Sequence, residues 1–288
     1  MSKPGVLTHP IYSEDSLAVS EFLHENLNIQ VSTKAWSRLI LPPWEQTGPN
    51  HGFQLVTDEG MVVGVYVAVY SQRDMNGTTV DVCNLAAFCV LETFRMHSLK
   101  LIRALLGQPG FVFTDLSPSG NVVAMNERLG FHRVDTATRL VVNLPRLPRR
   151  GLRLTSSAIA LESILTNRDA AVYRDHRRAA AVEHLLIEGF GEYGYLMYRR
   201  DRRKGLRMFA TPLFVGGSAA CIESAWGAIR SHLLGKGLVF TLAEHRILGF
   251  SRGLGTELSN PRSKMFRGSG IRSEDVDYLY SELTLVAW

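Results

Sequence analysis

The sequence predicts an α/β protein built from two copies of one mixed-sheet unit. Segments with strand-like alternation and segments with helical spacing follow one another along the whole chain. A 13-residue stretch at 102–114, IRALLGQPGFVFT, returns at 229–241 as IRSHLLGKGLVFT. The offset is a constant 127 residues and seven of the 13 positions are identical, where average composition gives roughly one. Between the copies, Pro145-Arg146-Leu147-Pro148-Arg149-Arg150-Gly151 reads as a linker, because two prolines and three arginines do not suit a core strand. A long surface loop within one domain is the plainer alternative. The expected division is residues 1–147 and residues 148–288, each a usual domain size.

Each element of the first copy has its own signal. Ser13-Glu14-Asp15-Ser16 caps a helix whose apolar positions are Leu17, Val19, Phe22 and Leu23. Residues 36–41 continue helical until Pro42-Pro43 stops them. Residues 53–57 and 61–70 read as strands around the turn Asp58-Glu59-Gly60. Residues 80–90 are almost continuously apolar, which predicts a central strand. Leu99, Ile102, Leu105 and Leu106 have helical spacing, residues 111–116 read as a strand, and residues 121–129 as a short helix. Gly130-Phe131 then leads into a last strand through Val142.

The second copy repeats this order in shortened form. Residues 195–198, a charged turn and residues 208–215 mirror the hairpin and central strand. Leu129-Gly130-Phe131 recurs as Leu248-Gly249-Phe250 at an offset of 119, so this copy is eight residues shorter after its repeated strand. Met265-Phe266 and residues 278–288 read as a strand pair that closes the second sheet.

Composition bounds the function less than the pattern does. The chain is 45% hydrophobic and 20% charged, as a globular protein is. No segment approaches the roughly 20 apolar residues of a membrane span, and Met1-Ser2-Lys3-Pro4-Gly5 does not resemble a signal peptide. A cytoplasmic protein is expected. Cys83, Cys89 and Cys221 are too few for a disulfide framework and lack zinc-ligand spacing, so no metal is expected. The net charge of +5 suits an anionic cofactor or a nucleic acid without choosing between them. Arg199, Arg200, Arg202, Arg203, Lys204 and Arg207 form the densest charge run. It reads as a solvated hairpin turn, the functional alternative being a phosphate contact.

Two segments carry a family likeness. The first is Val90-Leu91-Glu92-Thr93-Phe94-Arg95-Met96-His97-Ser98-Leu99-Lys100, and the second Asn121-Val122-Val123-Ala124-Met125-Asn126-Glu127-Arg128-Leu129-Gly130-Phe131. With the order of elements around them, they resemble the GNAT N-acyltransferases. The likeness covers most of residues 10–145 and is weaker over 152–288. It implies two tandem GNAT-like domains, each a mixed, mostly antiparallel sheet flanked by helices.

The resemblance also implies a site. Cys89 and Val90 end the central strand, and Arg95, Met96, His97, Ser98, Leu99 and Lys100 stand where the family binds the pyrophosphate of acetyl-CoA or another acyl-CoA. Ser98 and Lys100 occupy the family's two glycine positions. Asn121 opens the helix forming the far wall of the cleft. Asp115 ends the second core strand, where the fold admits the acceptor, and is the expected base; the plainer reading is a strand-end turn residue. Asn126 stands where the family often has a tyrosine acid, and could hydrogen-bond the thioester sulfur. His245 is the matching position of the second copy, which keeps the small residues Ala225 and Gly227 but no arginine. Cys83 and Cys89 share one strand face and read as buried small hydrophobes.

The expected function is direct acyl transfer from acyl-CoA to the amine of a small molecule. Two alternatives are a non-catalytic ligand- or partner-binding protein and a transferase using an aminoacyl-tRNA donor. The first domain is the expected holder of the cofactor.

Overall fold

A computed structural model describes residues 5–75, 77–189, 191–203 and 205–287. Met1, Ser2, Lys3, Pro4, Lys204 and Trp288, which figure in the readings above, lie outside the described residues. The first half runs β1 (Val6–Pro10), α1 (Ser16–Asn26), α2 (Thr33–Trp36), β2 (Gly52–Thr57), β3 (Val62–Met75), β4 (Thr78–Val90), α3 (Ser98–Leu106), β5 (Phe111–Asp115), α4 (Gly120–Arg128), β6 (His132–Arg133) and β7 (Thr138–Val142). The second runs β8 (Leu152–Thr155), α5 (Ala158–Ile164), α6 (Asn167–His176), β9 (Val182–Gly189), β10 (Glu192–Arg203), β11 (Leu206–Gly217), α7 (Ala219–Gly235), β12 (Phe240–Glu244), α8 (His245–Leu248), β13 (Gly255–Leu258), β14 (Met265–Arg267) and α9 (Glu282–Leu285).

These strands form two seven-stranded sheets, ordered β1-β2-β3-β4-β5-β14-β6 and β13-β7-β12-β11-β10-β9-β8. Pairing is antiparallel except at β4–β5 and β11–β12. Both parallel pairs need a crossover, and the helices α3 and α7 supply it. The repeated segment occupies equivalent places. Ile102 and Ile229 are buried on α3 and α7, and Thr114 and Thr241 are buried on β5 and β12. Asn84 is in register with Thr114 as Ala210 is with Thr241.

The packing explains why those positions are apolar. Leu101, Ile102 and Leu105 of α3 bury against Cys83 and Leu85 of β4 and Phe113 of β5. On α7, Ile222, Trp226, Ile229 and Leu233 bury against Leu196, Tyr198 and Ala210. Burying each such aliphatic side chain contributes about 1.5–3 kcal/mol. A further core cluster draws Leu116, Leu213, Phe266, Tyr278 and Leu283 together, joining both sheets through the C-terminal segment.

Two expected strands lie elsewhere. The stretch from Phe131 through Val142 is not one strand closing the first sheet. It splits into β6 and β7, and β7 pairs with β12 of the second sheet, Val142 opposite Phe240. In exchange, β14 leaves the second half and lies between β5 and β6, Met265 opposite Asp115 and Arg133. Each parallel strand edge needs a hydrogen-bonding partner, and the two halves supply it to one another. Residues 278–287 form no strand at all: Tyr280 has a positive φ of 51° and α9 follows. The expected junction at 147 and 148 falls between β7 and β8, while β7 and β14 pair across it.

Candidate active site in the first sheet

The parallel pair β4–β5 is short for its strands. Its register runs from Asp81 opposite Phe111 to Asn84 opposite Thr114 and goes no further, although β4 continues to Val90. Among the described residues, β4 beyond Asn84 is therefore strand-paired on its β3 side alone. A register shift opposite Val67 and Ala68 adds a bulge at Ala86, a device that bends a strand and re-aims its amides. A cleft of about 220 Å³ opens there, lined by Ala86, Ala87 and Phe88 of β4, Asp115 at the end of β5 and Ser117 just beyond it, and Val122 and Met125 of α4.

The carboxyl of Asp115 is buried in this cleft wall, and burial raises its pKa to about 6. Asn126 Nδ2 donates to Asp115 Oδ2 at 2.8 Å, and a hydrogen bond from the Ser117 backbone also favours the charged form. The two expected catalytic residues are thus brought together. Asn126 is itself buried and turned toward Asp115, and it is Met125 that lines the cleft.

A third residue joins them from the other end of the chain. Glu282 of α9 is fully buried and accepts from Asn84 Nδ2 and from Ser117 Oγ, each at 2.7 Å. Burial pushes its carboxyl up to about 8; the nearby Asp115 charge adds to the rise, and the Ser117 hydrogen bond opposes it. The sequence reading missed Glu282. Its signal was an acid inside the otherwise uncharged run Ser281-Glu282-Leu283-Thr284-Leu285-Val286, where a charge costs much unless it has partners.

The expected pyrophosphate loop is wound more tightly than a glycine-bearing loop. Residues Glu92–His97 form a 3₁₀ turn that runs directly into α3, and the Ser98 N–H donates to Arg95 O. Arg95 pairs with Glu92 at 2.8 Å, both largely exposed, and such a surface pair contributes little. Lys100 Nζ donates to Val6 O at 2.8 Å. Met96 and Leu99 are exposed, while Val90, His97, Ser98 and Cys89 are half-buried. Asn121 lies exposed on α4. This end of α3 thus offers an anion the side chains of Arg95 and Lys100, not a glycine cradle.

The second sheet presents the same opening in a filled form. β11 and β12 pair only through Ala210 and Thr241, and β11 then runs on to Gly217. At the start of α7, however, the Asp169 carboxylate accepts from Gly217 N at 2.7 Å and from Tyr193 OH at 2.9 Å. It also fills the space over Gly216, where a Cβ would lie 2.2 Å from Asp169 Oδ1. A carboxylate of the protein thus occupies the helix start that would otherwise attract an anion. Ala225 and Gly227 lie well inside α7, and Arg146 packs against Gly227. The constant offset carries over the helix but not the loop, because α7 has 17 residues and α3 nine. His245 is half-exposed and bound to Glu257 at 2.8 Å.

The arginine run divides. Arg200 is bonded to Glu183 and Arg202 to Gln30 near the surface. Arg199 instead is buried, 3.1 Å from Asp201, and donates to Leu283 O at 2.8 Å, which anchors α9. Cys83 is buried with its thiol pushed up by burial, which leaves it a small hydrophobe.

Comparison with solved structures identifies the architecture. A GCN5-related N-acetyltransferase from Anabaena variabilis superimposes with a TM-score of 0.59 at 13% identity, over 91% of this chain and 72% of that one. One from Kribbella flavida gives 0.57 at 14%, over 92% and 71%. A conserved protein of Enterococcus faecalis gives 0.60 at 11%, over 98% and 74%. The chain has the GNAT fold, in two GNAT-like domains. No protein-family model matches the sequence, and no curated protein matches it. At these identities the likeness is one of GNAT architecture, and no helix among the described residues is long and apolar enough to cross a membrane.

Proposed function

We propose that the protein is an acyl-CoA-dependent N-acyltransferase that passes an acyl group directly to the amine of a small molecule, in its first domain. The observation that carries this reading is the cleft where β4 and β5 part, with the Asp115 carboxyl in its wall. Acyl-CoA supplies an activated thioester carbonyl. Around it, the unpaired edge of β4 offers backbone N–H donors to the carbonyl oxygen. Asp115, ionised above about pH 6, accepts the proton that the attacking amine loses. The new C–N bond replaces the thioester C–S bond, and coenzyme A leaves as a thiolate that takes up a proton from solvent. Asn126 holds Asp115 in place through its side-chain amide. Arg95 exchanges its exposed partner Glu92 for phosphate, and Lys100 adds a second cation beside it. The Asp169 carboxylate at the start of α7 supports the first domain as the holder, since it would repel the same phosphates from the second.

Acetyl-CoA at about 100 times its dissociation constant stabilises a binding protein by about 2.7 kcal/mol, a readable rise in melting temperature. That rise is expected for the wild type and is expected to vanish in Ser98→Trp, which fills the start of α3. Lack of any response to acetyl-, malonyl- or long-chain acyl-CoA would remove the reading. A full response in a folded Ser98→Trp would move the site to the second domain.

A further inference from the structure

Beside the cleft lies a second, partly open cavity of about 310 Å³ between the two sheets. Ser117 and Pro118 line both, so the two spaces adjoin at the segment that follows β5. Its chemistry is unlike the cleft's. Asp201 is bound by Arg199 at 3.1 Å, by Arg262 at 3.5 Å and by the Thr211 hydroxyl at 2.5 Å. Glu244 is bound by Lys264 at 3.0 Å, by Arg246 at 3.1 Å and by the Tyr278 hydroxyl at 2.5 Å. The lining thus carries three cations, Arg199, Arg262 and Lys264, against these two carboxylates, all buried except Arg262, while Arg246 binds Glu244 from outside the lining. Glu282, the carboxyl closest in sequence to the lining residue Leu283, is held toward its neutral form by burial and does not restore the balance. Burial lowers the Lys264 pKa to about 8; Glu244 pulls it back up, and Arg246 and Arg262 add smaller pushes down.

The unmatched cation is the half-exposed Arg262, and a surplus of positive charge in a cavity wall attracts an anion. Arg199 already spends its guanidinium on Asp201, Leu283 O and Val286 O. Among the described residues Arg262 has a long contact to Asp201 alone, and Lys264, which bonds Glu244 and lies over the Tyr278 ring at 3.3 Å, still has a further N–H to offer. We propose that this cavity is an anion site, in which Arg262 and Lys264 hold the carboxylate or phosphate of the amine that is to be acylated. The proposal rests on the acyl-transfer reading and names its acceptor class: a small amine that also bears an acidic group. Bound there, the acceptor's other end reaches past Ser117 toward Asp115.

The binding test uses inorganic phosphate at constant ionic strength, so that general screening is held fixed. A saturating rise in melting temperature is expected for the wild type, with affinity about tenfold or more weaker in Arg262→Gln and Lys264→Met. Arg262 is half-exposed, so its variant folds even where loss of Lys264 unsettles Glu244. No saturable response, or an equal one in Arg262→Gln, overturns the site. Acylation is then compared among glycine, 2-aminoethyl phosphate and ethanolamine. One of the two anionic amines is expected to exceed ethanolamine in kcat/KM by about tenfold or more, and the winner tells carboxylate from phosphate. Arg262→Gln raises the KM for that acceptor with kcat nearly unchanged. Equal use of ethanolamine overturns the acceptor assignment. Acetyl-CoA binding is read separately and persists in Arg262→Gln. Its absence in the wild type removes acyl transfer itself, whereas its presence without a phosphate response removes the anion site alone.

Discussion

Asp115 and Glu282 show how one small region sets two carboxyl groups apart. Both are buried and hydrogen-bonded, Asp115 by Asn126 and the Ser117 backbone and Glu282 by Asn84 and Ser117 Oγ. Glu282 is pushed further, to about 8 against about 6, by burial first and then by the Asp115 charge. With Asp115 as base, kcat/KM is expected to rise with pH through about 6. Asp115→Asn should lower kcat/KM by about 10²–10⁴ and abolish that limb, as loss of a general base does. A pH–rate profile of the variant that keeps the limb would exclude the assignment. For Glu282 the consequence is one of stability. A carboxyl raised from 4.5 to about 8 in the folded state binds its proton more tightly there than in the unfolded chain. Its contribution is complete below pH 4.5 and is lost as pH climbs to about 8. Glu282→Gln, which stays neutral, should therefore flatten the decline in melting temperature across that window. An unchanged slope would show that Glu282 titrates normally.

At the scale of elements, the repeated helix and strand are what the sequence displays most clearly. Ile102 and Ile229 each sit in the buried face of a crossover helix. Ile102→Ala and Ile229→Ala should each cost about 2–5 kcal/mol, the range for truncating a buried aliphatic side chain. Urea denaturation measures both, and a loss below 1 kcal/mol at either would contradict the packing described. These elements were legible because helical spacing of apolar residues and β-branched runs report burial locally. The loop before α3 was less so. Its residues matched a phosphate-binding pattern, but the 3₁₀ turn over Glu92–His97 uses the Ser98 amide internally, and nothing in the local pattern distinguishes these two outcomes. In the second domain, the space over Gly216 and the amide of Gly217 are taken by Asp169, a residue some 50 positions earlier in the chain.

The whole molecule is tied together by exchange. β7 of the first half completes the second sheet, and β14 of the second half completes the first. Cutting at residues 147 and 148 would strip β5 of one neighbour and leave β7 without a sheet, and such bare edges aggregate. Fragments 1–147 and 148–288 made separately should fail to give soluble, cooperatively unfolding domains, while co-expression should recover an assembled pair. A well-folded 1–147 fragment by circular dichroism and size-exclusion chromatography would refute this. What the sequence determined by itself was the class of fold, the repeated unit, the central strand and the positions of Asp115 at the end of β5 and Asn126 on α4. Those follow from periodicity and short-range spacing, which one chain segment carries alone. Only the tertiary structure decided which sheet β7 and β14 join, that Arg199 turns inward, and that Glu282 enters the site. Hydrogen-bonding edges are chemically alike, and a buried charge is explained by partners distant in sequence, so both were settled when the two sheets closed on the C-terminal segment.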